Sequence, residues 1–178
     1  GWSASPCGGL VMFNETARTA IDATQSSSFA IDLKKWLSIM EAYENGGHAY
    51  HATLPTDAIV KFHAAMKETE TFGFAKVKEA QQELGNKVRA LLDQKQYRSV
   101  AAAGFEAPGV VVYHTDDADI HSGKKFAALG MQIAAGVPLQ CDEPADYKTF
   151  RMGLFGLDKL KNIDRTVANL DKVLTEIL

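Results

Sequence analysis

Apolar positions recur along this 178-residue chain in two different rhythms, and the change between them divides it. From Asp32, Leu33, Trp36, Leu37, Met40 and Tyr43 fall at the spacing of one helix face, and Gly46-Gly47 closes the run. Thr56 is placed to cap a second helix carrying Ile59, Val60, Phe62, His63 and Met66, with Gly73 just past its end. A third follows through Val77, Ala80, Leu84, Val88 and Leu91. A shorter helix, Glu15 to Ala23, has Asn14 as its cap. Then the rhythm changes. Gly109 to His114 is a β-rich run, a helix with Phe126, Ala127 and Leu129 follows, and Ile133–Leu139 and Thr149–Phe155 read as strands. The stripe Leu157, Leu160, Ile163, Val167, Leu170, Leu174 and Ile177 predicts one long closing helix. Leu10 to Phe13 reads as a short strand after the turn-rich opening Gly1 to Gly9.

The order is helices, then β-α-β-β-α. Two adjacent strands joined by a short link predict an antiparallel pair. The fold class is therefore α+β: a small antiparallel-containing sheet covered by helices on one face. A chain of this length buries about 70% of its unfolded surface, enough for one core. Its first 25 or so residues do not belong obviously to that layer.

Charge changes the picture little. Nineteen basic and 22 acidic residues give a net charge of −3, which points to neither nucleic acid nor an anionic membrane. No apolar run approaches the ~20 residues that span a bilayer, and no signal-peptide pattern is visible. Cys7 and Cys141 are far apart and without CxxC spacing, which fits a reducing cytoplasm and leaves a disulfide between them open.

Three groups of residues have candidate chemistry. The loop Gly46 to Thr56 is the densest polar patch, with hydroxyls on Tyr50, Thr53 and Thr56 leading into a helix N-terminus, where anions are favoured. An ordinary polar loop with a Thr cap fits the same residues. Arg151 lies mid-strand, sharing a face with Gly153 while Phe150, Met152 and Leu154 share the other. Its guanidinium fork matches a carboxylate. The alternative is an edge-strand arginine paired with Asp142 or Glu143. His48 and His51 lack a third metal ligand at a convincing spacing. His63 reads as a packed helix residue. His114 and His121 flank Asp116-Asp117-Ala118-Asp119, which reads as a solvated loop with a helix cap.

Taken together, these segments resemble the C-terminal half of class V aminotransferases, fold type I enzymes of the alanine/serine–glyoxylate kind. The opening Gly1-Trp2-Ser3-Ala4-Ser5-Pro6-Cys7-Gly8-Gly9 is similar to the stretch after the family's cofactor lysine. Tyr50-His51-Ala52-Thr53-Leu54-Pro55 is similar to its Tyr-x-x-Thr-x-Pro element. Arg151-Met152-Gly153-Leu154-Phe155-Gly156 with Asn162-Ile163-Asp164 is similar to its C-terminal signature. The resemblance implies pyridoxal 5'-phosphate as cofactor. By the resemblance its lysine would sit immediately before Gly1; none of the lysines here, Lys34 and Lys35 included, matches that motif.

The resemblance further implies that Tyr50 and Thr53 bind the cofactor phosphate of a neighbouring subunit, so that the intact enzyme is a homodimer, and that Arg151 holds the substrate carboxylate. Residues 1–28 would be a remnant of the large cofactor-binding domain, and 29–178 the linker helix and small domain. The implied reaction moves an amino group from a small amino acid to a 2-oxo acid such as glyoxylate or pyruvate. Aminophosphonate or ureido substrates are the alternative within the fold. On this reading the chain alone is inactive; the competing reading is a non-catalytic folded or dimerisation module.

Overall fold

The computed structural model describes residue 4 and residues 8–178. Residues 1–3 and 5–7 of the opening loop, Cys7 among them, lie outside the described residues. The chain packs as two units, parted at Lys61 and Phe62.

In the first unit, α1 (Glu15–Ala23) opens on Asn14, whose Oδ1 accepts from the Ala17 N–H at 3.0 Å. α2 (Leu33–Glu44) opens on Asp32, which accepts from the Lys35 N–H in the same way. Arg18 joins the two helices by reaching Asp22 at 2.9 Å and Glu41 at 2.6 Å. Little apolar surface is covered here. No residue of α1 is buried, and Ile39 is the one buried residue of α2. Met40 and Tyr43, expected on the packed stripe, are exposed. Leu10 to Phe13 is exposed chain and not the expected strand. A short extended run needs a partner ladder, and none pairs with it among the described residues.

α3 (Thr56–Phe72) begins one residue earlier than a Thr56 cap requires. The Ile59 N–H donates to the Pro55 carbonyl, so Pro55 occupies the cap position and Thr56 is already helical. His63 is exposed and not packed. Gly73, at φ 100°, separates this helix from α4 (Phe74–Gln94).

The second unit is built on α4. Its stripe of Leu84, Val88, Leu91 and Leu92 is buried against one face of a three-stranded sheet and against the closing helix. The strands are β1 (Val110–His114), β2 (Ala134–Ala135) and β3 (Thr149–Gly153), in the order β1-β3-β2 with both pairs antiparallel. Val111 and Tyr113 of β1 and Phe150 and Met152 of β3 line the covered face. Phe150 is fully buried, with its ring 5.2 Å from Tyr97, 5.9 Å from Phe126 and 6.4 Å from Tyr113. Burial of each such side chain contributes roughly 1.5–3 kcal/mol.

Polar groups set the register between helix and sheet. Arg89 donates to the carbonyls of Ala107 and Val110, and Gln81 to that of Pro108. Gly85 permits this approach, because a Cβ there would lie 2.7 Å from the Pro108 oxygen. Tyr113 donates to Asp93 at 3.0 Å. Burial, then the Asp93 carboxylate, pushes the phenol up to about 12, so it is a neutral donor.

In the second unit three features differ from the sequence pattern. The Ile133–Leu139 strand shrinks to two residues, since Gly136 and Pro138 cannot extend the ladder. The closing helix is broken into α7 (Leu157–Lys161) and α8 (Ile163–Ile177). Asn162 leaves helical geometry at φ −136°, ψ 53°, and its amide donates to the Asp158 carbonyl at 2.8 Å, replacing a backbone bond. A short helix α5 (Ala118–His121), capped by Asp117, precedes α6 (Lys124–Ala128). No helix among the described residues is long and apolar enough to cross a membrane.

Phe150→Ala is expected to destabilise the chain by ~3–5 kcal/mol in urea unfolding, because it opens a cavity where three other rings converge. A loss below about 1 kcal/mol would mean that the sheet and α4 do not share this core.

Candidate functional site

Arg151 lies on the middle strand of the sheet, which corrects the edge-strand alternative. The register sets Val112 of β1 and Ala134 of β2 directly across from it. These three residues share the face that the helices leave open, as strand alternation requires. Its Nε donates to the Ala135 carbonyl at 2.9 Å. Among the described residues no carboxylate forms an ion pair with its guanidinium, so the alternative pairing with Asp142 or Glu143 does not form.

Glu143 is committed elsewhere. Its carboxylate accepts from the backbone N–H groups of Leu139, Gln140 and Cys141, which curl around it. Burial works upward on this carboxyl, but the N–H bonds outweigh it and hold it below its ordinary value. This carboxylate-in-loop arrangement has no sequence signature, because it depends on Gln140 and Asp142 adopting positive φ.

Tyr50 and Thr53 come together in the first unit. Their hydroxyl oxygens are 3.1 Å apart, and both side chains are exposed. One hydroxyl donates to the other, which leaves one hydrogen and several lone pairs directed outward. The loop that carries them is anchored by His51. The His51 ring packs 4.3 Å from Phe29 and 5.0 Å from Trp36, and its Nε2 lies 2.9 Å from the Phe29 carbonyl. A carbonyl only accepts, so Nε2 carries the proton. Trp36 in turn donates to the Ala30 carbonyl. His51 is thus a packing residue, and no cluster able to hold a metal ion occurs among the described residues. The nearby N-terminus of α3 carries Asp57 in its first turn, which already answers the helix dipole. Of the groups in this loop expected from the sequence to favour an anion, the two hydroxyls are the ones left facing outward.

Lys34 donates to the Asp22 carbonyl, and Lys34 and Lys35 are both exposed on α2. Cys141 is an exposed free thiol. His114 stands edge-on to Tyr147 at 5.5 Å, and burial, then Arg98, lowers its affinity for a proton. His121 meets the strand that carries Arg151: its Nδ1–H donates to the Thr149 carbonyl at 2.6 Å. Asp117 holds the helix that presents His121. It accepts from the Asp119 and Ile120 N–H groups and pairs with Lys125 at 2.6 Å.

No protein-family model matches the sequence, and no curated protein does. Solved structures match in fold. Alanine–glyoxylate aminotransferase from Nostoc sp. superposes with a TM-score of 0.69 at 14% identity, over 90% of this chain. An aspartate aminotransferase of subgroup IV from Thermus thermophilus gives 0.66 at 18% identity over 89%, and ureidoglycine–glyoxylate aminotransferase from Bacillus subtilis gives 0.64 at 20% over 92%. The chain spans 42% of the length of each of the three. At these identities the likeness is one of fold: this α+β arrangement occurs as part of larger aminotransferases.

The Asp117 cap has a pH consequence. The Lys125 ion pair first, and the Ile120 and Asp119 N–H groups after it, hold the Asp117 carboxyl below its ordinary value. A depressed carboxyl stabilises the fold above its unfolded pKa of about 3.9, and that contribution is lost as pH falls through the folded value. Between pH 5 and pH 2 the melting temperature of the wild-type chain should therefore fall more steeply than that of Asp117→Asn. Parallel curves would remove Asp117 from the acid response.

Proposed function

We propose that this chain is a portion of a pyridoxal-phosphate-dependent class V aminotransferase, and that Arg151 binds the substrate's carboxylate. The observation that carries this reading is the arginine's setting. It stands on the middle strand, on the face without helices, between two uncharged neighbours and with no ion-pair partner among the described residues. A guanidinium retained without a carboxylate in its own chain is suited to one supplied by a ligand, with two parallel N–H bonds. The fold likeness to three aminotransferases supports the same reading.

In this reading residues 1–28 belong to the large cofactor-binding domain and residues 29–178 form the linker helix and small domain. The substrates are a small amino acid and a 2-oxo acid such as glyoxylate or pyruvate. Two of the similar structures are named for glyoxylate, which favours that acceptor. One of them is named for ureidoglycine, and that keeps a ureido donor as the second reading. The enzyme is cytoplasmic, and the 178-residue chain alone does not catalyse the transfer.

Tyr50 and Thr53 would hold the cofactor phosphate. With their hydroxyls 3.1 Å apart, the pair offers an oxyanion the one hydrogen left outside their mutual bond, and both hydrogens once that bond is exchanged for the ligand. Pyridoxal phosphate, when bound, supplies the electron sink for amino-group transfer. The residues of this chain bind and orient: the hydroxyl pair fixes the phosphate end, and Arg151 fixes the carboxylate end of the substrate. A homodimer, each site taking its hydroxyl pair from the neighbouring subunit, accords with the apolar side chains that the first unit leaves exposed. Leu10, Met12, Phe29 and Ile31 are each more than half exposed, as surfaces that meet a partner are.

In the intact enzyme, Arg151→Ala should raise the apparent KM for the amino donor about 10- to 150-fold, the loss of one charge-assisted pair of ~1.5–3 kcal/mol. An unchanged KM would remove the assigned role. Tyr50→Phe with Thr53→Val should weaken pyridoxal phosphate binding in an absorbance titration while leaving that KM near its wild-type value. Unaltered cofactor affinity would reject the hydroxyl pair as the phosphate site.

A further inference from the structure

Arg151 cannot hold its side-chain direction unaided, because an arginine has four rotatable bonds and this one lies on a face without helices. The bond from its Nε to the Ala135 carbonyl restricts it. That bond depends on how closely β2 approaches β3. β2 is only two residues long, and the residue after it, Gly136, closes against Thr149. A Cβ built on Gly136 would overlap both the carbonyl oxygen and the hydroxyl of Thr149. The Thr149 hydroxyl is buried without a hydrogen-bond partner, as expected where close packing has taken precedence over polar satisfaction. His121 secures the junction from the other side. It accepts the Gly136 N–H at its own carbonyl and donates from its ring to the Thr149 carbonyl.

We propose that Gly136 is a positioning residue for Arg151. Its missing side chain lets β2 lie close enough for the Ala135 carbonyl to hold Nε. This engages the inner edge of the guanidinium and leaves its two terminal nitrogens to face a ligand end-on. The consequence for the substrate rests on the carboxylate-binding role given to Arg151. An end-on guanidinium accepts a planar carboxylate through both oxygens, and a side chain free to rotate would not present that geometry.

The test reads the Arg151 Nε–H directly, by nitrogen-15 NMR of the 178-residue chain. The signal is assigned by its disappearance in Arg151→Lys. In the wild-type chain this N–H should exchange roughly tenfold more slowly than that of exposed Arg98. In Gly136→Ala the protection should fall to the Arg98 level, while the backbone amides of β1 and the side chain of Arg89 keep theirs. Protection that persists in Gly136→Ala would overturn the proposal. So would an Arg151 Nε–H that exchanges as fast as Arg98 in the wild-type chain, a reading that needs no variant to fold. No substrate enters this measurement, so its failure is separate from a failure of the carboxylate reading, which the KM of Arg151→Ala decides.

Discussion

Because neighbouring residues of a strand point to opposite faces, the burial of Phe150 and Met152 fixes the direction of Arg151. The core needs those two side chains inward. Phe150 meets the rings of Tyr97, Tyr113 and Phe126, and Met152 lies opposite Val111 of the neighbouring strand. A one-residue slip of β3 would place the guanidinium in that apolar cluster and the phenyl ring in water, at a cost of several kcal/mol. The hydrophobic core thus sets the face on which Arg151 stands, and the Ala135 carbonyl restrains its side chain there.

The surroundings of the arginine follow from that constraint. α4, with α8 packed on it, covers the inner face of the sheet, and the outer face retains Val112, Arg151 and Ala134 across three strands. The acidic residues that the sequence places nearby are engaged differently. Glu143 is enclosed by the N–H groups of its own loop, and Asp117 caps a helix and pairs with Lys125. The guanidinium has a backbone carbonyl as its partner, and a carbonyl does not neutralise its charge.

Much of this was legible in the chain because periodicity reports burial. The α4 stripe and the alternation of Phe150, Arg151 and Met152 were both readable, and they fix the helix–sheet layer and the face of the arginine. Three kinds of feature were hidden. The break at Asn162 lies inside an unbroken apolar stripe, since α7 and α8 both pack on the same core and the side-chain amide of one residue decides the kink. α2 displays an amphipathic stripe, but Met40 and Tyr43 remain exposed, because periodicity shows which face is apolar and not what covers it. The proximity of Tyr50 and Thr53 could be expected from their spacing, whereas the packing of His51 between Phe29 and Trp36 depends on contacts distant in sequence.

The most direct test of the central claim is a crystal structure of the proposed full-length enzyme, prepared with pyridoxal phosphate, with pyruvate or glyoxylate bound. The account predicts the ligand carboxylate within hydrogen-bonding distance of both terminal nitrogens of Arg151, with Nε still on the Ala135 carbonyl. A carboxylate bound by other groups, with Arg151 turned away from it, would contradict the account.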